Sequence, residues 1–136
     1  MTGEFAIAVH AIVYLNHAGA TLSSDALAKN VCTNPARIRK VMARLKAASL
    51  IVTKAGAEGG YRFVLDPGKG TLLDALSALG LPAVSASWRS GNPNMECLVA
   101  SGMAAVMDDV YRRMNECCMD NLREISIRDI DRRIFQ

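Results

Sequence analysis

Between positions 34 and 62 the chain reads NPARIRKVMARLKAASLIVTKAGAEGGYR, and the reading of this stretch decides the fold. It opens as a helix over residues 35–48. Asn34 is suited to the N-cap, because its side-chain oxygen can accept from a free backbone N–H of the first turn. Pro35 follows at the first helical position, where a missing N–H costs nothing. Ile38, Val41, Met42 and Leu45 keep the i, i+3, i+4, i+7 spacing of a single buried stripe. Arg37, Lys40 and Arg44 recur on a different face, and Arg39 and Lys46 flank the stripe on its other side. The stretch then changes period. Residues 49–54 are β-branched and apolar, residues 55–60 form a flexible glycine-bearing loop, and in residues 61–65 Tyr61, Phe63 and Leu65 alternate against Arg62. This is a β-hairpin, closed by the turn Asp66-Pro67-Gly68.

Charge is concentrated in the same place. Arg37, Arg39, Lys40, Arg44, Lys46, Lys54 and Arg62 are seven of the 16 basic residues, with Glu58 the one acid among them, in a chain whose net charge is only +3. A solvated helix face ordinarily mixes signs to form i,i+4 pairs. A basic face without acids, beside a glycine-rich hairpin, is what a DNA phosphate backbone requires. Gly59 and Gly60 serve a hairpin bend and equally permit close approach to a phosphate or minor groove, since no side chain intervenes.

Upstream, residues 2–18 read as a helix apolar on most sides, with Gly19 as its stop. His10 and His17 on it are expected to be structural or surface residues. Ser23 caps a short second helix with Asp25 in its first turn, ending near Asn30. Val31-Cys32-Thr33 is the turn into the basic helix, although it lacks the glycine common in such turns. Two short helices joined this way, the second one basic, match a helix-turn-helix.

Downstream, Thr71 caps a short helix with Asp74 at N3, a capping box, and Gly80-Leu81-Pro82 ends it. Residues 81–94 are rich in Ser, Pro, Gly and Asn and read as a linker loop, with Trp88 as a packing anchor. Residues 95–121 read as one long helix, about 40 Å at 1.5 Å per residue. Val99, Met103, Val106, Val110, Met114 and Cys117 follow one another at intervals of 4, 3, 4, 4 and 3, an apolar seam expected to pack on a second copy of the chain. Asp108–Arg112, Asp109–Arg113 and Arg112–Glu116 are i,i+4 neighbours on its wet side. Ser126 caps a last helix whose Ile127, Ile130 and Ile134 dock on the core.

The fold class is therefore mainly α with a small β-hairpin: a winged helix-turn-helix over residues 1–80, a linker over 81–94, and a dimerisation helix with a C-terminal helix over 95–136. At 136 residues and half apolar, the chain can bury one core. No apolar run approaches the roughly 18 residues of a membrane span. The apolar stretch 5–15 follows Glu4 rather than a positive charge, which is poor for an export signal and points to the cytoplasm. There the four cysteines are thiols at rest.

Thr33-Asn34-Pro35, the segment Leu45-Lys46-Ala47-Ala48-Ser49-Leu50-Ile51, the wing motif Gly59-Gly60-Tyr61-Arg62 and Thr71-Leu72-Leu73-Asp74-Ala75-Leu76 together resemble the Rrf2 family of bacterial winged-helix regulators. The resemblance covers about the first 80 residues and extends to the long helix in architecture. It implies a homodimer on a dyad-symmetric operator, with the recognition helix in the major groove and the wing at the minor groove. By position, Thr33, Asn34, Pro35, Ala36, Arg37, Arg39, Lys40 and Arg44 fall on the DNA-facing helix, and Lys54, Gly59, Gly60, Tyr61 and Arg62 on the wing. Cluster-binding members carry three cysteines close together before the long helix. Here that region holds only Cys97, so an iron–sulfur cluster is disfavoured and no cofactor, metal or catalytic residue is expected.

The ordinary fate of free cysteines is burial as small apolar side chains. The sharper reading is a thiol switch, with Cys32 as the sensing thiolate near Arg37 and a helix N-terminus, bridging to Cys97 of the other subunit. The alternatives are a ligand held by the loop 81–94, lined by Trp88 and Met95, or a winged-helix protein–protein module that binds no DNA. A redox or metal enzyme lacks its motifs: there is no Cys-x-x-Cys pair, no His-rich spacing and no glycine-rich nucleotide loop. The chain is read as a non-enzymatic, DNA-binding transcriptional regulator, a repressor.

Overall fold

The computed structural model describes residues 3–136. The elements run α1 (Glu4–Ala18), α2 (Ser24–Val31), α3 (Pro35–Ala47), β1 (Ile51–Lys54), β2 (Gly60–Phe63), α4 (Leu72–Leu79), α5 (Leu98–Arg123) and α6 (Ile127–Ile134). The mainly helical architecture with one antiparallel hairpin and a long C-terminal helix is the expected one.

Local chemistry sets the boundaries. Ser23 caps α2 by accepting from the Ala26 N–H, and Asn34 caps α3 by accepting from the Arg37 N–H at 2.8 Å. Thr71–Asp74 and Ser126–Asp129 both form complete capping boxes. The Asp129 carboxyl is held below its ordinary value by the Ser126 backbone N–H and then by the Ser126 hydroxyl. The turn that lacks glycine solves the problem with Cys32, which takes the left-handed conformation (φ 65°) at the end of α2. Ser49 (φ 62°) does the same after α3, where the Leu50 N–H returns to the Leu45 carbonyl. Ser49 thus belongs to the helix stop, and the strand expected from residue 49 begins at Ile51.

The core joins the helix-turn-helix to both ends of the chain. Ile7, Ala8, Ala11, Ile12 and Leu15 of α1 meet Leu27 of α2, all four stripe residues of α3, Ile51 of β1, Leu72, Ala75 and Leu79 of α4, and Ile127 of α6. The last helix docks as expected through Ile127, with Ile130 half-buried, while Ile134 stays exposed. The Ile127 N–H donates to the Gly70 carbonyl and the Leu72 N–H to the Ile125 carbonyl, so the start of α6 is stitched to the start of α4. His10 bonds Asn30, and His17 lies 3.3 Å from Asp131 with its ring stacked on Phe135, structural roles in both cases.

In α5 no residue is fully buried. One face, formed by Ala104, Met107, Tyr111, Asn115, Cys118 and Leu122, is half-buried against the rest of the chain. The seam read from the sequence is a separate face, about a quarter-turn away. Val99, Met103, Val106, Val110, Met114 and Cys117 are all exposed. The helix starts at Leu98 rather than 95, because Cys97 is its N-cap. Asp108 pairs with Arg89 of the loop at 2.7 Å and not with Arg112. Arg112 instead bridges Asp109 and Glu116, and Arg113 takes Asp109.

Candidate nucleic-acid interface

The helix-turn-helix presents α3, and the wing stands beside it. β1 and β2 pair in the register Ile51↔Phe63, Val52↔Arg62, Thr53↔Tyr61 and Lys54↔Gly60. Leu22 adds a one-residue third strand: its N–H donates to the Tyr61 carbonyl at 2.9 Å, and its carbonyl accepts from the Tyr61 N–H at 2.8 Å. This bridge accounts for Gly60, and the turn itself for Gly59. Gly60 has φ 149°, and a Cβ there would overlap the Leu22 backbone. A Cβ at Gly59 would overlap the Lys54 carbonyl. The wing therefore needs Gly60 to fold against the Leu22 segment and Gly59 to close its own turn, whatever else their bareness permits.

The cations divide into two groups. Lys40 lies 3.3 Å from Glu4 of α1, and Arg44 donates to the Leu79 carbonyl at the end of α4 at 2.9 Å. The Arg37 guanidinium lies over Gly3, whose missing side chain leaves it room. These three, on one flank of α3, hold the recognition helix to its scaffold. On the other flank, Arg39 and Lys46 have no ion-pair partner among the described residues. Lys54 and Arg62 likewise have none and, with Thr21, Val52 and Thr53, line a small polar notch on the wing. Asn34 and Ala36 are exposed at the opening of α3, Thr33 and Pro35 are half-buried there, and Tyr61 is half-buried against the core.

Two residues were not among the DNA contacts expected from the sequence. Lys46 shares its flank with Arg39, a relation that helical spacing already displayed. Thr21 joins the wing only through the Leu22 bridge, a long-range pairing that local pattern cannot show.

Away from this surface, Asn115 clamps the loop to α5: its amide accepts from the Val84 N–H at 2.8 Å and donates to the Val84 carbonyl at 2.7 Å. Between that clamp and the Arg89–Asp108 pair lies a cleft of about 640 Å³ lined by Trp88, Met103, Met107 and Tyr111. Trp88 is 75% exposed rather than an anchor, because the loop is held by hydrogen bonds at Val84 and an ion pair at Arg89. Met95 lies outside the cleft.

The thiols also depart from expectation. Cys32, Cys97 and Cys117 are exposed and Cys118 is half-buried, so none is a core residue. The Cys32 sulfur lies against the carbonyls of Lys29 and Asn30 at the C-terminal end of α2. Cys97 is the thiol at a helix N-terminus, and the backbone N–H groups of Ala100 and then Val99 hold its pKa below the ordinary value. No three His, Cys, Asp or Glu side chains converge on a metal-sized site among the described residues. Cys97 and Cys117 are separated by 20 residues of α5, about 30 Å. This donor set does not fit an iron–sulfur cluster within one chain.

A family model described as Rrf2, iron-dependent transcriptional regulator, matches residues 1–133. The chain is 24% identical over 135 residues, 99% of both chains, to a Bacillus subtilis protein carrying the name HTH-type transcriptional regulator YwnA. Its fold is similar to that of a transcriptional regulator from Lactobacillus plantarum (TM-score 0.84, 21% identity, 100% of this chain and 92% of the other). It is also similar to CymR, the global cysteine regulator of B. subtilis (TM-score 0.69, 16% identity, 96% and 95%).

Proposed function

Since the chain belongs to the Rrf2 family and is a DNA-binding transcriptional regulator, we propose that it works as a homodimeric repressor on a dyad-symmetric operator in the cytoplasm. The observation that carries the dimer is α5. Six apolar side chains at seam spacing lie exposed on one face, while a separate face of the same helix serves the protomer. An isologous pairing of that face is the simplest way to cover it, and it sets two recognition helices about one axis. Arg39, Lys46, Lys54 and Arg62 supply the phosphate contacts. Repression follows from occupying the operator.

The thiol reading is kept, with Cys97 rather than Cys32 as the responding group. What supports it is exposure together with a lowered pKa at a helix N-terminus. A hydroperoxide would transfer one oxygen to the Cys97 thiolate, releasing the alcohol. The sulfenic acid would then condense with the Cys32 thiol of the second subunit, releasing water.

Fluorescence anisotropy on duplexes from the protein's own upstream region, across a salt series with reductant and then a mild hydroperoxide, tests these statements. Specific binding with a log–log salt slope near one unit per phosphate contact supports the interface. Loss of binding on oxidation, restored by reductant and absent in Cys97→Ser, supports the switch. A reporter under the same promoter decides the sign of regulation. Binding to no duplex would leave the protein–protein module as the better account.

A further inference from the structure

The face of α3 opposite its buried stripe is mostly alanine. At 100° per residue, Ala36, Lys40, Ala43 and Ala47 fall within an arc of about 60° centred opposite Ile38, Val41, Met42 and Leu45. All four are exposed. Lys40 is drawn aside to Glu4, Arg44 to the Leu79 carbonyl and Arg37 over Gly3, while Arg39 and Lys46 stand at the edge of the arc. What the centre of the recognition helix holds out is a row of alanine methyls between two rails of charge.

That arrangement has a specific chemical complement. A bidentate reading of guanine needs an Arg or Lys at the centre of the face, and a reading of adenine needs Asn or Gln. The centre here offers neither: its alanines carry no polar group, and Lys40, at the margin of the arc, lies 3.3 Å from Glu4. An alanine methyl has one attractive partner on the major-groove floor, the C5-methyl of thymine. The short side chains also let the helix backbone approach closely, which brings the flanking Arg39 and Lys46 to the phosphates on one side.

We infer that this protein selects its operator by thymine methyls packed against Ala36 and Ala43. The inference rests on the DNA-binding reading above and names what that interface recognises. Ala36 and Ala43 are two turns apart, about 10.5 Å along the helix, close to three base-pair steps of about 3.4 Å. Each half-site should thus hold two thymines, on either strand, about three steps apart.

The test begins by selecting an operator from randomised duplexes. Each thymine of the selected duplex is then replaced singly by uracil, which removes only the methyl. Two positions per half-site should lose about fourfold in affinity each, the equivalent of one methyl group returned to water. Other thymines should be indifferent. Ala36→Ser and Ala43→Ser, checked for unchanged melting, should each abolish the thymine-over-uracil preference at one position while retaining it at the other. A fully uracil-substituted duplex bound as tightly as the thymine duplex would overturn the inference and leave DNA binding intact. Failure to select any duplex would bring down the DNA reading itself.

Discussion

Replacing Val106 by glutamate is the sharpest test of the exposed seam. Val106 is 58% exposed in the protomer, so rather more than half of its burial remains to be gained in a dimer. Full burial of a valine side chain is worth at least about 1.5 kcal/mol. The outstanding part is therefore about 1 kcal/mol per copy. An isologous interface carries every substitution twice, which brings the loss to about 2 kcal/mol, or about 30-fold in the dimer Kd. The glutamate adds the cost of placing two carboxylates in an apolar interface, so 30-fold is a lower bound. Sedimentation velocity over a concentration series reads this directly, and anisotropy on a dyad duplex should show weaker, less cooperative binding. Ala105→Glu is the control: it is also exposed and adjacent in sequence, but it points to the wet side of α5. A Val106→Glu protein with an unchanged dimer Kd would refute the assignment of this face. Equal disruption by both substitutions would show that charge anywhere on α5 suffices, and the seam argument would fail in a different way.

Three further outcomes follow from the geometry. Ile127→Ala opens a cavity at a side chain that is almost fully buried, and should cost about 2–5 kcal/mol; a melting temperature unchanged in calorimetry would mean that α6 is not part of the core. Gly60→Ala places a Cβ onto the Leu22 backbone at a positive φ and should destabilise by more than about 1 kcal/mol, with faster amide exchange at Leu22 and Tyr61, and intact protection there would contradict the three-strand wing. Alkylation of Cys97, followed by mass spectrometry against pH, should show a midpoint below the ordinary thiol value. By linkage, the stability from that thiolate is present above the unfolded-state pKa and lost as pH falls through the folded one, and a midpoint at or above the ordinary value would remove Cys97 from consideration as a ready nucleophile.

The sequence by itself determined the order and kind of every element, because each signal was local. Asn34 with Pro35, Ser23, the two capping boxes and the stripe of Ile38, Val41, Met42 and Leu45 act within one or two helical turns. The seam on α5 was legible for the same reason. The left-handed turn at Cys32 was not, because nothing in a cysteine advertises a positive φ; the short distance between α2 and α3 imposes it. The cations on α3 were readable as a set but not in their separate roles. Only the approach of α1 and α4 assigns Lys40 to Glu4 and Arg44 to the Leu79 carbonyl, leaving Arg39 and Lys46 without ion-pair partners among the described residues. The Leu22 bridge to Tyr61 likewise joins segments about 40 residues apart and gives Gly60 its structural reason. Periodicity and capping are properties of consecutive residues. The partner of a charge or of a strand edge depends on which distant segment the core brings beside it, and tertiary packing decides that.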